Sequence, residues 1–274
     1  MFWSKLKTRL LSAVILIAVL LIVTFAPASV FTVALCGVSL ILLYEITNTF
    51  GLKGKHSIMA VNYIFAILIM ALSFLKQDAQ GGYFYMVAIL FIMALLVVCV
   101  LNHEKIQFSD VLASLFSVIY SVVFLLPLSF MRNTQNGLAL VFLAFIGAWL
   151  PDTMAYFAGS FFGKHKLIPK ISPNKTVEGA IGGLLGSVVF YAVYGVILTK
   201  LGFSVSFLRM LILSLICGVM SQFGDLSASV MKRAYNKKDF GNLIPGHGGL
   251  LDRVDSLIFV TPIVYYFIKF FPVI

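Results

Sequence analysis

The chain has 274 residues, of which 61% are hydrophobic and only 11% are charged. A soluble domain carries about 25% charged residues, so this composition excludes an ordinary globular domain surrounded by water. The formal net charge of +10 at pH 7 is concentrated in two segments, 161–176 and 232–249. In lipid the backbone must satisfy its own hydrogen bonds. Because the apolar runs are continuous rather than alternating, they predict an all-α polytopic membrane helix bundle and not a barrel.

The apolar runs predict about nine transmembrane helices, since one span needs about 20 mostly apolar residues. In chain order the predicted spans cover residues 10–26, 28–50, 57–75, 83–101, 109–131, 137–160, 177–199, 206–228 and 250–272. The first break is weak, because it depends on Pro27 and the small residues beside it. Lys5, Lys7 and Arg9 precede the first run, as they would in a signal peptide. The next run follows at once and is equally apolar, which favours an uncleaved first span.

The distribution of basic residues predicts a cytoplasmic N-terminus. If the spans alternate from that side, fifteen of the twenty Lys and Arg residues face the cytoplasm and five face outward. The outward five are Lys76, Arg132, Lys200, Arg209 and Lys269. Cytoplasmic loops of membrane proteins carry an excess of Lys and Arg, so the split supports both the count of spans and their orientation.

The acidic residues divide the chain into two predicted parts. Residues 1–135 hold spans 1–5, and residues 136–274 hold spans 6–9 together with the basic loops, which makes the second part the candidate catalytic part. Six of the ten acids lie there, at or near predicted cytoplasmic ends of spans: Asp152, Glu178, Asp225, Asp239, Asp252 and Asp255.

Three of these acids form a candidate metal site. Asp225 lies in a polar patch, Ser221–Ser227, of an otherwise apolar span. An ionisable group in a span usually faces a polar cavity, although helix–helix hydrogen bonding is the structural alternative. Asp252 and Asp255 are three residues apart and share a helix face. They suit Mg²⁺, which is bound by one or two carboxylates with phosphates and water, and their structural alternative is an interaction with the helix dipole.

The segment before the last span has the composition of a polyphosphate site. Gly246, Gly248 and Gly249 flank His247 and allow the backbone to approach a ligand, with a flexible connector as the alternative. The basic residues that precede them are Lys232, Arg233, Lys237 and Lys238. No Walker-type lysine loop is present in the sequence, which excludes a standard ATPase.

The other basic segment predicts a helix start. Ser172 stands before Pro173, and Lys175 follows closely, so a helix N-terminus here would suit a phosphate. Span 7 then opens with glycines that are spaced by four and predict close helix packing: Gly179, Gly182, Gly183 and Gly186. The cysteines lie far apart in apolar runs and are predicted to be small buried side chains: Cys36, Cys99 and Cys217.

At these residues the chain resembles the phosphatidate cytidylyltransferases. The stretch Ser229–Asp255, with Lys232-Arg233, Pro245-Gly246-His247-Gly248-Gly249 and Asp252-Arg253-Val254-Asp255, is similar to the signature of that family over 27 residues. A second similar block runs from Trp149–Thr153 to Ser172–Gly179, with Val177 where the family pattern has an aromatic residue and Pro151 where a small polar residue is commoner. The resemblance covers the last half of the chain. The first half matches only as a set of spans.

The resemblance implies an enzyme that transfers the cytidylyl group of CTP to phosphatidic acid and releases pyrophosphate. It implies Mg²⁺ dependence with Asp225 and Asp252 as ligands, an accessory K⁺, and a homodimer. The site would lie on the cytoplasmic side of a bacterial inner membrane, with the lipid bilayer as surroundings and no nucleic acid as partner.

Roles follow for the other candidate residues as hypotheses. Asp255 and Asp239 would support the cation site. The phosphates would be neutralised by Lys175, Lys232, Arg233, Lys238 and Arg253. His247 and its neighbours Gly246, Gly248 and Gly249 would line the triphosphate site. Asp152 and Glu178 would hold a second metal ion or orient a base or a lysine, and the sequence leaves that choice open.

Two other functions fit the sequence less well. A CDP-alcohol phosphotransferase needs a series of Asp, Gly, Ala and Arg residues along a helix pair, and the sequence lacks it. A cation-coupled transporter would use Asp225 and Asp252 as ion sites. Transporters place such sites near the middle of the membrane and contain two related halves, whereas the polar residues here gather toward one predicted face and no halves are apparent.

Overall fold

The computed structural model describes residues 2–75, 77–246 and 248–274, and it describes no side chains for residues 2–9 and 77–80. Outside the described part of the chain therefore lie the side chains of Lys5, Lys7, Arg9 and Asp78, and the whole of Lys76 and His247. The helices are α1 Phe2–Phe25, α2 Ala28–Thr49, α3 His56–Ala71, α4 Gln77–Leu101, α5 Phe108–Val118, α6 Leu126–Arg132, α7 Gly137–Phe162, α8 Val177–Lys200, α9 Phe207–Ala234 and α10 Leu251–Phe270.

The all-α fold class is confirmed, and each predicted span coincides with helix. A 3-10 turn, Leu72–Phe74, extends α3, and a π-helical segment, Ile119–Val123, lies between α5 and α6. Seven helical stretches are long and apolar enough to cross a membrane: Ala28–Thr49, His56–Phe74, Gly81–Leu101, Phe108–Arg132, Gly137–Phe162, Val177–Lys200 and Phe207–Ala234. The chain is thus an integral membrane protein. The total of nine spans and the cytoplasmic N-terminus stay predictions.

The chain divides into two compact units. The first comprises Met1–Asn133 and Lys237–Asp252, and the second comprises Thr134–Asn236 and Arg253–Ile274. The basic, glycine-containing segment Lys237–Asp252 therefore groups with the N-terminal helices by its contacts. The boundary predicted between residues 135 and 136 was based on the distribution of acidic and basic residues. As a division between functional parts it stays a prediction.

Glycines bring α7 and α8 of the second unit into close contact. A methyl group at Gly183 would lie 2.8 Å from the carbonyl oxygen of Pro151 and 3.1 Å from Cβ of Ala155. A methyl group at Gly179 would lie 2.8 Å from the carbonyl oxygen of Ala155. The prediction that this glycine face packs against a neighbouring helix is confirmed, and the packing places α7 along the start of α8.

A short antiparallel hairpin precedes α8. Its strands are β1 Lys166–Ile168 and β2 Ser172–Thr176, with Lys166 opposite Thr176 and Ile168 opposite Ser172. The predicted helix start at Ser172 was wrong, because residues 172–176 are extended. The helix begins at Val177, where the hydroxyl of Thr176 accepts a hydrogen bond from the Gly179 amide at 3.1 Å and caps the first turn.

The prediction of buried cysteines is confirmed for Cys217 only, because Cys36 and Cys99 are half-buried. Cys36, Cys99 and Cys217 are free thiols, and Cys217 is fully buried.

Candidate active site

An ion pair joins the hairpin of the second unit to α9. The Lys175 Nζ lies 2.5 Å from Oδ2 of Asp225, and both side chains are partly exposed, at 23% and 33%. The Nζ atom of Lys175 is itself buried, and it makes no hydrogen bond to another group among the described residues. Lys175 therefore retains donors for a ligand, while Asp225 has a cationic partner from a different element of the chain.

Two further carboxylates, those of Asp152 and Asp255, accept hydrogen bonds from Ser256 near the start of α10. The Ser256 hydroxyl donates to Oδ2 of Asp152 at 2.6 Å, and the Ser256 amide donates to Oδ1 of Asp255 at 2.8 Å. Asp255 is only 7% exposed, and it interacts electrostatically with Asp225 and Asp152 as well as with the Lys232 ammonium. The second unit thus gathers Asp152, Asp225 and Asp255 within electrostatic range of one another.

Gly224 allows α9 and α10, which carry Asp225 and Asp255, to approach each other closely. A methyl group at Gly224 would lie 2.8 Å from the carbonyl oxygen of Asp255 and 2.9 Å from Cα of Ser256. The backbones of α9 and α10 therefore meet at the residue before Asp225. Both interpretations of the polar patch Ser221–Ser227 find support. The Gln222 side chain of the patch donates a helix–helix hydrogen bond to the Ala180 carbonyl oxygen of α8, and Asp225 belongs to the acidic cluster.

A cavity of about 530 Å³ opens beside the ion pair in the second unit. Its walls come from α7, the hairpin, α8 and α9, and the polar side chains among them are Asp152, Tyr156, Ser160, Lys166, Ser172, Asn174, Lys175, Thr176, Gln222 and Asp225. Gln222 is held by its amide nitrogen, which donates to the carbonyl oxygens of Ala180 and Gly218. Two lysines and two aspartates on one cavity suit an anionic ligand that arrives with a cation.

The acidic cluster fits Mg²⁺ only together with a ligand. Among the described residues no group of three or more His, Cys, Asp or Glu side chains is arranged to hold a metal ion by itself. Mg²⁺ in phosphate-transfer sites is bound by one or two carboxylates and completes its shell with phosphate oxygens and water. Asp225 and the neighbouring carboxylates meet that requirement.

The first unit contains the other predicted metal ligand, Asp252. Its Oδ2 accepts hydrogen bonds from the amides of Phe240 and Gly249, both at 3.0 Å. Gly248 adopts a φ of +86°, and a methyl group there would lie 3.3 Å from the carboxylates of Asp252 and Asp239. The glycines predicted to approach a ligand therefore also approach carboxylates of the protein itself.

The remaining predicted residues lie in varied surroundings. Lys232 and Arg233 form the last turn of α9, and Lys232 is 9% exposed. The Arg253 carbonyl oxygen accepts a hydrogen bond from the Trp149 indole at 3.2 Å.

Glu178 accepts hydrogen bonds from the amides of Lys164 and His165 and contacts the His165 ring at 2.7 Å. Glu178 thus holds the base of the hairpin. Gly246 adopts a φ of +79°, and the Lys238 side chain is exposed.

Residues 7–271 match the sequence profile of the Cytidylyltransferase family. The chain belongs to this family. It is similar to the phosphatidate cytidylyltransferase of Bacillus subtilis (strain 168), with 31% identity over 271 residues that cover 97% of this chain and 98% of that protein. It is also similar to the proteins of the same name from Staphylococcus haemolyticus (strain JCSC1435) and Staphylococcus aureus (strain COL). Each is 35% identical and covers 94% of this chain and 96% of its own length.

The similarity to other cytidylyltransferases extends through the first half of the chain, where sequence reasoning identified spans alone. It missed Glu45, which is buried in α2 and accepts hydrogen bonds from the backbone of the segment Lys237–Asp252. A lone acid in an apolar run was the available signal, since such residues usually have a polar partner. It also missed Ser256 and Lys166, whose types carry no signal until the fold places them beside Asp152 and the cavity.

Proposed function

We propose that this cytidylyltransferase transfers the cytidylyl group of CTP to the phosphate of phosphatidic acid, which gives CDP-diacylglycerol and pyrophosphate. The observation that carries the proposal is the similarity, over nearly the whole of both chains, to proteins named phosphatidate cytidylyltransferase. The cavity with its ion pair between Lys175 and Asp225 supplies the matching chemistry.

The reaction is a substitution at phosphorus. An oxygen of the phosphatidic acid phosphate forms a bond to the α-phosphorus of CTP, and the bond from that phosphorus to the bridging oxygen of the β-phosphate breaks. The attacking phosphate is already an oxyanion, so no strong general base is needed. The barrier lies in bringing two anions together and in stabilising the pyrophosphate that leaves, which depends on positioning and electrostatics.

The second unit supplies groups for both tasks. Lys175 and Lys166 line the cavity, and their ammonium groups would neutralise phosphate oxygens that enter it. Asp225, with Asp152 and Asp255 near it, would hold Mg²⁺. When bound, Mg²⁺ supplies positive charge to the reacting phosphates. The predicted partnership of Asp252 with Asp225 stays a prediction, as do the phosphate contacts of Arg233, Lys238, His247 and Arg253 and the accessory K⁺.

We propose the bacterial inner membrane as the location, with the site on its cytoplasmic side. The relatives come from bacteria, and fifteen of the twenty basic residues fall on the predicted cytoplasmic side. A homodimer is proposed on the family resemblance alone.

One assay tests the proposed function. The detergent-purified chain is incubated with cytosine-labelled CTP, phosphatidic acid and Mg²⁺, and label in the lipid extract is measured together with pyrophosphate. Equal amounts of lipid-soluble cytidine and pyrophosphate are expected. An absence of lipid-soluble label with every phosphatidic acid species tested, by protein that is folded, would refute the proposal.

A further inference from the structure

Glu45 is a buried carboxylate whose two oxygens hold two different backbone amides. It is the only acidic or basic side chain of α2, and it is 4% exposed. Its Oε1 accepts a hydrogen bond from the Leu250 amide at 2.9 Å, and its Oε2 accepts one from the Leu251 amide at 2.8 Å. These amides open α10, so Glu45 satisfies donors that a helix N-terminus leaves unpaired. A buried charge needs such partners, which makes the contact specific.

Two glycines of the same segment close around the Glu45 carboxylate. A methyl group at Gly241 would lie 2.5 Å from Oε1, and a methyl group at Gly249 would lie 2.8 Å from Oε2. The other end of the segment is attached to α2 as well, because the Lys237 ammonium donates to the carbonyl oxygen of Asn48 at 3.3 Å. The segment Lys237–Asp252 therefore docks on the end of α2 at both of its ends.

The backbone amides that donate to Glu45 directly follow, in sequence, an amide that donates to Asp252. The Gly249 amide donates to Asp252, while the next two amides donate to Glu45. A displacement of the carboxylate at position 45 would therefore release the turn that orients Asp252. We propose that Glu45 is a positioning residue of the transfer reaction, which holds the segment Lys237–Asp252, and with it Asp252, in the geometry that the reaction uses.

The proposal gives the N-terminal helices a defined part in catalysis. For its kinetic consequence it rests on the proposed cytidylyl transfer. A Glu45 carboxylate that only stabilised the fold would lower the melting temperature when altered, but would leave turnover and the Mg²⁺ requirement of the folded protein unchanged.

The test compares Glu45→Gln with Thr47→Val in the full chain. Gln keeps the size of Glu, but it offers an NH₂ group to one of two N–H donors and so loses one hydrogen bond. Thr47 is a matched control in the same helix, since it is fully buried and its hydroxyl donates to the Leu43 carbonyl oxygen of that helix. The measurements are kcat, the KM for phosphatidic acid, the Mg²⁺ concentration for half-maximal rate, and amide exchange of residues 248–252.

We expect Glu45→Gln to lower kcat roughly 10- to 100-fold, to raise the Mg²⁺ requirement and to leave the KM for phosphatidic acid unchanged. The Leu250 and Leu251 amides should exchange at least about tenfold faster than in the wild type. Thr47→Val should match the wild type in all four measurements. Wild-type turnover with unchanged exchange in a folded Glu45→Gln variant would overturn the proposal, and so would an equal loss of turnover in Thr47→Val.

A second variant acts from the other side of the contact. If Glu45→Gln does not fold, Gly241→Ala should show the same fall in kcat, because its new methyl group displaces the Glu45 carboxylate, and wild-type turnover in that variant would overturn the proposal. Failure of the proposed function is recognised separately, because the wild type itself would then transfer no cytidylyl group. In that case amide exchange still tests the docking role of Glu45. Unchanged exchange of the Leu250 and Leu251 amides in the variants would refute that role.

Discussion

The ammonium of Lys175 lies 2.5 Å from the carboxylate of Asp225, although the two residues are 50 positions apart in the sequence and belong to a strand and a helix. The pair lines the cavity of the second unit. Phosphates that enter with a cation would find a partner for each charge, Lys175 for the phosphate and Asp225 for the cation. The pair is therefore the first target for mutation.

Asp225→Asn is expected to lower kcat by at least about 100-fold while the protein stays folded. Asn preserves the shape of Asp but removes the charge that binds a hard cation. Turnover is measured against Mg²⁺ concentration, and folding is checked by thermal unfolding in detergent. Wild-type turnover and Mg²⁺ dependence in the folded variant would show that the Asp225 carboxylate contributes to helix packing and not to metal binding.

Lys175→Met is expected to lower kcat/KM for CTP roughly 100-fold, because it removes a cavity cation and leaves Asp225 unpaired. Lys175→Arg should retain more activity, since it keeps the charge. The steady-state rates of both variants with varied CTP decide the point. Equal activity of the Met and Arg variants would show that charge at position 175 does not matter.

Ser256→Ala should lower kcat about tenfold, because Asp152 loses its 2.6 Å hydrogen bond and is free to turn away from the cluster. Thr261→Val is the matched control in α10, since the buried Thr261 hydroxyl donates to the Leu257 carbonyl oxygen of its own helix. Both variants are assayed at saturating substrates. A loss in Thr261→Val as large as that in Ser256→Ala would point to general damage of the helix.

Gly183→Ala is expected to destabilise the protein by about 1–3 kcal/mol, because the added methyl group would lie 2.8 Å from the Pro151 carbonyl oxygen. Gly37→Ala is the control within α2, since a methyl group there meets no described atom within 4 Å. It should leave stability unchanged or raise it, because Ala is the better helix former. Denaturation in mixed micelles measures both, and equal stabilities would refute the packing argument.

Cysteine labelling tests the orientation. In a background without Cys36, Cys99 and Cys217, a cysteine at position 170 should react with an impermeant thiol reagent only from the cytoplasmic side. A cysteine at position 135 should react only from the outer side. Labelling of position 170 in intact cells would reverse the orientation predicted from the basic residues.

The helices could be derived from the sequence because each apolar run must cover about the same thickness of lipid, and this requirement acts locally. The predicted span 137–160 corresponds to Gly137–Phe162, and the predicted span 177–199 to Val177–Lys200. The glycine face of α8 was predictable for a similar reason, since residues spaced by four share a helix face. The hairpin strand Ser172–Thr176 was missed, because the pairing with β1 and the cap at Thr176 override the local preference of Ser-Pro for a helix start.

The sequence by itself determined the membrane class, the helices, the family and the residue types of the site, because composition, periodicity and the signature are properties of the chain alone. Only the tertiary structure decided which residues meet. Lys175 pairs with Asp225, Ser256 with Asp152, and Glu45 with the amides of Leu250 and Leu251, more than 200 positions away. Such contacts depend on which helix faces pack together, and an ionisable side chain in an apolar helix is stable where that packing supplies its partner.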